Sequence, residues 1–433
     1  EDFARETNRR NCLSSSRILK MVNNSWHCLV RADEKKEGKV AIATGGGSGH
    51  LPVFLGYVGY GLADGVTVGN VFASPSAEAM HEVDKAINSG AGVLHLYGRY
   101  GGDIMNFGMA SDLDEMEDIP VKEVLVTDDI ASAPKGSENK RRGVAGLVFA
   151  YKCAGAAAEK MYNLDEVARI AQKTVDNTRT MGVALTPCIV PEAGKATFSI
   201  AEDEMEIGMG IHGEPGIHRT KLMKIDDVVS NIMEKILEDL PFEDGCEVAV
   251  LVNGLGGTPK EELYLAYRKL YQILSDKNIS IHRKYIGEYA TSLEMAGMSI
   301  SLLKLDDELK EMIDAPCYSP FFEQKSLIKE DFLMETINKL KLKEILGNIL
   351  ESMQDAKDEL IALDGAMGDG DLGLTMCKGF EAIYQEIDIL EETDMGKLMM
   401  KLGMKMNSVV PSTMGTLIST CFVKSAPKAK GKI

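Results

Sequence analysis

The sequence predicts an α/β fold of two units with largely parallel or mixed sheets, followed by an all-α unit. Three observations carry that prediction. The first 190 or so residues alternate short β-rich runs with longer segments of three- and four-residue apolar spacing, the pattern of strands covered by helices on both faces. The stretch from about 185 to 320 repeats the alternation. From Phe332 onward the chain turns methionine-rich and helical in pattern, without a strand-like run.

In chain order, the strands expected in the first unit are 39–44, 65–72, 92–97 and 121–127, each a compact apolar run rich in β-branched residues. The helices between and after them are 76–89, 144–162 and 164–181. The second unit offers strands at 196–200, 247–252 and 279–285 and helices at 220–240 and 260–276. Two prolines within 315–320 mark a boundary. The expected domains are therefore 1–184 and 185–320 for the α/β units, a linker at 321–331, and a helical unit at 332–433.

Composition narrows the function. With 48 Lys and Arg against 66 Asp and Glu, the net charge is −18, which argues against nucleic-acid binding and against adhesion to anionic membranes. Phosphate binding stays open, because glycine-rich backbone and metal ions can do it without lysines. None of the eight cysteines forms a C-x-x-C pair, so the chain reads as a reduced, cytoplasmic protein. There is no run of 18 apolar residues and no apolar leader at the start. The first residue is Glu1 rather than a methionine, and the chain is read as a piece of a longer product, cut off at its end as well.

Four glycine-rich segments look chemical. Thr44-Gly-Gly-Gly-Ser-Gly-His50 follows an apolar strand. It is neither a P-loop, since no Gly-Lys-Ser/Thr follows, nor the dinucleotide fingerprint, since His50 stands where a third glycine belongs. A histidine just past such a turn lies where open α/β sheets bind ligands. Arg99-Tyr-Gly-Gly-Asp103 places a carboxylate just after a β-run, and Gly208-Met-Gly-Ile-His212-Gly-Glu-Pro-Gly216 sets a second histidine among glycines. Asn253-Gly-Leu-Gly-Gly-Thr258 is a further strand-end loop. Together, two histidines and an aspartate in such loops point to a small polar substrate gripped at several points. The other five histidines (27, 81, 95, 218 and 282) read as core or surface.

In the helical unit, Asp364, Asp369 and Asp371 share a glycine-rich turn between two helical patterns. Their spacing fits no single helix face, so the turn must fold to bring the carboxylates together, and clustered carboxylates repel without a cation between them. The turn is no EF-hand, because position 12 from Asp369 is Phe380. Oxygen donors with spare coordination suit Mg²⁺ carrying nucleotide phosphates. Further on, Pro411-Ser-Thr-Met-Gly415 is a small hydroxyl-bearing turn opening a helix, a plausible phosphate cradle.

These segments, in this order, resemble the dihydroxyacetone kinase family. GGGSGH at 45–50, NVFASPS at 70–76 and GMGIHGEPGI at 208–217 match its K-type substrate domain, and GDGDLG at 368–373 its L-type nucleotide domain. The resemblance implies that the imidazole of His212 forms a covalent hemiaminal with the carbonyl of a short ketose. Asp103 then takes the proton of the attacking hydroxyl, with His50 assisting. It implies substrate contacts at Gly47, Ser48, Gly49 and Gly98, and Mg²⁺ held by Asp364, Asp369 and Asp371. It implies nucleotide contacts at Leu372, Gly373, Leu374, Thr375, Thr413 and Met414, ATP as phosphoryl donor, and a homodimer. In this family the L-type domain is a barrel of eight helices, about twice the length present here.

Three departures stand out. Gly98-Arg99 occupies the place of a usual Lys-Asn pair, Leu372 that of a histidine, and Pro-Ser-Thr-Met-Gly that of a Gly-Gly-Thr/Ala-Ser-Gly turn. Loss of a lysine near the substrate enlarges the pocket and makes a four-carbon ketose such as erythrulose a candidate beside dihydroxyacetone. A carbonyl-ligand sensor without turnover is the alternative from another class, and cyclisation of a flavin nucleotide is a further family activity.

Overall fold

The computed structural model describes residues 2–325, 338–366 and 368–431. Residues 326–331 of the expected linker, and 332–337 of the expected helical unit, lie outside the described residues. The chain divides into two compact units, parting near residue 327. No described helix is long and apolar enough to cross a membrane.

The first unit opens with α1 (Phe3–Ser14), β1 (Leu19–Met21), β2 (Cys28–Arg31), β3 (Ala41–Ser48), β4 (Gly65–Val71), α2 (Ala77–Ile87), β5 (Val93–Gly98), α3 (Gly101–Met116), β6 (Val121–Val126), α4 (Leu147–Glu159) and α5 (Leu164–Asp176). Its first sheet has the order β1-β2-β4-β3-β5-β6. β3 runs parallel to β4 and β5, and β5 to β6, while β1 and β2 join antiparallel. All eight residues of β3 are buried, as a central strand covered on both faces requires. The flanking helices follow their apolar stripes. In α2, Met80, Val83 and Ile87 face inward behind a Ser76 cap, and α5 buries Val167, Ile170, Ala171 and Val175 behind an Asn163 cap.

The chain continues through β7 (Thr178–Ala184), β8 (Ile189–Val190), β9 (Lys195–Ala196), β10 (Glu204–Ile207), β11 (His218–Lys221), α6 (Ile225–Asp239), β12 (Glu247–Gly254), α7 (Lys260–Asp276), β13 (Ser280–Gly287), β14 (Gly297–Leu305), α8 (Asp307–Asp314), β15 (Cys317–Tyr318) and β16 (Glu323–Gln324). The second sheet, ordered β11-β10-β7-β14-β12-β13, is antiparallel except where β12 meets β13.

Three segments depart from the sequence reading. The helix expected over 164–181 stops at Asp176, and Thr178–Ala184 becomes a wholly buried strand of the second sheet. A strand buried on both faces loses its alternation and cannot be told from helix by period. The sheet therefore places β7 with the residues that follow it, across the expected boundary at 184/185. The strand expected at 196–200 reduces to Lys195–Ala196 in a two-residue pairing with β8. Residues 321–325, expected in a linker, fold back instead. β16 pairs with β15, Phe322 joins the core, and the Gln324 amide donates to the Ile313 carbonyl at 2.7 Å.

The second unit contains α9 (Lys339–Asp355), α10 (Lys357–Gly365), α11 (Leu372–Ile389), α12 (Met395–Val409) and α13 (Thr413–Ala429). Its core is built from Leu346, Ile383, Leu398, Leu402 and Met406.

Helix α4 is buried along all but one of its residues, and its small face lies against the backbone after the 3₁₀ turn at Leu55–Tyr57. A Cβ on Gly155 would stand 2.3 Å from the Gly61 carbonyl oxygen. Alanine is the better helix former by about 1 kcal/mol, but overpacking costs about 1–3 kcal/mol. Gly155→Ala should therefore lower unfolding free energy in urea titration; a gain in stability would show that the contact relaxes freely.

Candidate functional site

A cavity of about 270 Å³ opens at the C-terminal ends of the parallel strands, the place where open α/β sheets take ligands. Gly47 at the end of β3, Phe72 and Ser74 after β4, Tyr100 and Asp103 in the turn from β5 into α3, and His212 between β10 and β11 line it. The backbone of 72–73 comes so close to β3 that a Cβ on Gly47 would stand 2.7 Å from the Cα of Phe72. Only glycine fits there.

His212 is held in one orientation. Its Nδ1 lies 2.8 Å from Glu214 Oε1, and its own backbone N–H donates to Glu214 Oε2 at 2.8 Å. A carboxylate accepts only, so Nδ1 carries the proton and the lone pair of the imidazole form lies on Nε2. The ring sits edge-on to Phe72, Tyr100 and His50, at centroid distances of 5.3, 4.8 and 4.6 Å. Burial raises Glu214, but the His212 hydrogen bond and charge, with Arg142, outweigh it and hold the carboxyl down at about 2. Arg142 in turn donates from Nε to Asp129 Oδ2 at 2.9 Å. A Cβ on Gly210 would meet both the Glu214 carboxylate and the Arg142 guanidinium, so glycine at 210 lets this chain of charges close.

Asp103 is 5% exposed and its Oδ1 has no hydrogen-bond partner. Burial pushes its carboxyl up to about 6, against the pull of the Ser74 hydroxyl and His212. His50 is 1% exposed. Its Nδ1 donates to the Thr291 carbonyl at 2.8 Å, because a carbonyl cannot donate, and its buried Nε2 is an unpaired acceptor. Burial, and secondly His212, push this imidazole down to about 3, which keeps it neutral near pH 7.

The structure thus brings His212, Asp103 and Gly47 to one cavity wall, with His50 in ring contact behind them. Ser48, Gly49 and His50 line a neighbouring cavity of about 160 Å³ instead, and the Ser48 hydroxyl donates to the Gly69 carbonyl at 2.7 Å. Gly98 is not among the lining residues; its Cα faces the Tyr100 ring and the Gly143 backbone. Arg99 donates to the Lys140 carbonyl at 3.1 Å. The sequence reading missed Ser74, Tyr100, Arg142 and Glu214. Glu214 had a signal, an acid two residues after a histidine in a glycine-rich turn. Arg142 had none, since Lys140-Arg141-Arg142 looks like a surface charge run.

In the second unit, carboxylate oxygens of Asp364, Asp369 and Asp371 lie within 4.8 Å of one another. Asp364 Oδ2 accepts the backbone N–H groups of Asp371 at 2.9 Å and Leu372 at 3.2 Å, which fixes the turn against the start of α11. Asp369 and Asp371 are exposed. Three hard oxygen donors with open access fit a hydrated Mg²⁺. Leu372, Gly373, Leu374 and Thr375 form the first turn of α11; the Leu372 N–H is taken by Asp364 and the Thr375 N–H by the Asp371 carbonyl, which leaves those of Gly373 and Leu374 to suit phosphate. Thr375 Oγ1 is bonded to Asp371 Oδ2. Thr413 and Met414 open α13 behind a Ser412 cap.

A fixed imidazole and a buried carboxylate on one cavity, on a chain that also carries an acidic helix-terminus loop, fit the class of two-part small-molecule kinases. The chain belongs to the dihydroxyacetone kinase family, with a Dak1 domain over residues 11–321 and a DAK2 domain over 366–433. It is 46% identical over 310 residues to the dihydroxyacetone-binding subunit of a PTS-dependent dihydroxyacetone kinase from Listeria innocua, covering 72% of this chain and 93% of that protein. It is 39% identical over 377 residues to a D-erythrulose kinase from Mycolicibacterium smegmatis, covering 82% of this chain but 65% of that protein. The chain thus spans about two thirds of that kinase's length. Among solved structures, the dihydroxyacetone kinase of C. freundii in complex with AMP-PNP and Mg²⁺ matches with a TM-score of 0.69 and 27% identity, over 99% of this chain and 81% of that one.

Replacing Glu214 by Gln removes the charge that selects the His212 tautomer. Trading a charge-assisted for a neutral hydrogen bond costs about 1–2 kcal/mol. Nitrogen-15 NMR of the labelled imidazole should therefore show only the Nδ1–H form in the parent chain and a mixture in Glu214→Gln. An unchanged tautomer would show that Glu214 does not set it.

Proposed function

We propose that this chain carries the ketose site and nucleotide-loop residues of an ATP-dependent short-ketose kinase. The observation that supports this most is the His212–Glu214 pair in a cavity shared with Asp103. The ring's Nε2 lone pair adds to a ketone carbonyl, forming an N–C bond as the C=O π pair moves onto the oxygen, which takes a proton from water and becomes a hydroxyl. Glu214 at Nδ1 offsets the positive charge the ring gains. Bound this way, a ketose is separated from glycerol, which has no carbonyl to add to.

Asp103 accepts the proton of the terminal hydroxyl as that oxygen attacks the γ-phosphoryl group of ATP. His50, neutral, with Nε2 bare and its ring against that of His212, would accept a hydrogen bond from the ketose. Asp364, Asp369 and Asp371 would hold Mg²⁺, which supplies charge neutralisation for nucleotide phosphates. The acidic loop in the same chain, and the AMP-PNP and Mg²⁺ complex of the C. freundii enzyme, support ATP over a phosphotransferase relay. Asp103 and the acidic loop favour turnover over sensing, since a sensor needs neither.

A four-carbon ketose is the second reading. Gly98 carries no side chain and Arg99 is turned to a backbone carbonyl, so neither puts a cation in the cavity. The M. smegmatis relative acts on D-erythrulose by name. The test of the covalent step is carbon-13 NMR of the full chain with ketoses labelled at the carbonyl. Dihydroxyacetone or erythrulose should lose its ketone signal to a tetrahedral carbon in the parent and not in His212→Ala. The sugar giving the larger fraction is the one bound more tightly as the adduct. A ketone signal unchanged with both in the parent would overturn the covalent assignment.

Asp103→Asn should retain that adduct but lose phosphoryl transfer by about 10²–10⁴-fold. In the parent the rate should rise with pH through about 6, where the carboxyl deprotonates, and level off above. That limb should vanish in the variant, as read from kcat against pH.

A further inference from the structure

Between α2, β5 and α3 the first unit encloses titratable side chains that the ketose chemistry does not use. Asp84 on α2, His95 on β5 and Asp114 near the end of α3 are each 0% exposed. His95 Nε2 stands 3.0 Å from Asp84 Oδ2 and 3.8 Å from Asp114 Oδ2. One donor atom from each of the three residues lies within 4.8 Å of the others. Asp84 Oδ1 and Asp114 Oδ2 are buried without any hydrogen-bond partner.

Two unpaired, buried carboxylate oxygens beside one imidazole are costly unless a positive centre serves both. The imidazole alone cannot, because its Nε2 already faces Asp84 and its Nδ1 faces Ser111 Oγ at 3.3 Å. The surroundings are built like an outer shell. His81 Nδ1 lies 2.6 Å from Asp114 Oδ1, and its Nε2 lies 3.2 Å from Glu117 Oε1, so Asp114 is fixed with its other oxygen toward His95.

We propose that Asp84, His95 and Asp114 form a closed structural site for one divalent transition-metal ion, with Zn²⁺ the best chemical fit. Donors roughly 2.1 Å from a tetrahedral zinc stand about 3.4 Å apart, and the two distances from His95 Nε2 bracket that value. One oxygen of Asp84, one of Asp114 and His95 Nε2 make three donors, and the second oxygen of the Asp84 carboxylate would complete a distorted four-coordinate set. Two carboxylates balance the ion's charge, and binding displaces the proton between His95 and Asp84. The imidazole nitrogen and the lack of an opening separate this site from the exposed all-oxygen loop at 364–371. The ion ties α2 and α3 to β5. Asp103 sits on the same α3, about three turns from Asp114, so the ion steadies the helix that carries the proton acceptor.

The test is metal analysis of the full chain after dialysis with Zn²⁺ and then against metal-free buffer. About one ion per chain should remain. It should persist in an Asp369→Asn, Asp371→Asn double variant and fall more than about tenfold in His95→Gln, as loss of a ligand demands. Since His95→Gln could unfold the chain, Co²⁺ is exchanged into the parent, whose visible spectrum should show the strong bands of a four-coordinate N/O site. A folded parent that retains no ion, a full ion in His95→Gln, or a six-coordinate Co²⁺ spectrum would each overturn the proposal.

Discussion

Everything at the proposed ketose site turns on one hydrogen bond, from His212 Nδ1 to the Glu214 carboxylate. It decides which nitrogen is free, and therefore whether the ring can act as a nucleophile at all. The rest of the local structure serves to hold it. Glycine at 210 leaves room for Glu214 and Arg142 to approach, and Arg142 is anchored by Asp129 from the other sheet's neighbourhood. Phe72, Tyr100 and His50 then fix the plane of the ring from three sides. A loop without this scaffold would let the imidazole sample both tautomers and many orientations.

The site also shows how an acidic protein handles anionic chemistry. Among the described residues, no lysine lines the cavity beside Asp103. Polarity comes from buried, neutral or precisely paired groups: a neutral His50, a carboxyl at Asp103 raised by burial, and a Glu214 whose charge is balanced by neighbours. In the second unit carboxylates of Asp364, Asp369 and Asp371 gather beside the N-terminus of α11.

Much of this was legible in the sequence. Glycine-rich turns after apolar runs located His50, Asp103 and His212, because a strand-to-loop turn of that kind has few structural alternatives. The acidic turn was legible for the same reason, as three carboxylates cannot converge without glycines to fold the chain. What escaped lay in two places. Thr178–Ala184 is buried on both faces, so its residues lack the alternation that marks a strand. Ser74 and Tyr100 reach the cavity, and Arg142 the Glu214 carboxylate beside it, through tertiary packing alone, and His81 and His95, read as ordinary core or surface, acquire charged partners only when α2 and α3 meet β5.

His50 sits in the first strand-end turn of the chain, yet the carbonyl that sets its tautomer belongs to Thr291, 241 residues later. The hydroxyl of Tyr57 likewise reaches the carbonyl of Tyr289, 232 residues on. Contacts of such separation form late, because the loop between them must be ordered first. During synthesis the glycine turn therefore emerges early but waits for most of the second sheet before its histidine is set. Ketose affinity is thus a property of the finished first unit, and its appearance during refolding would time the docking of the two sheets.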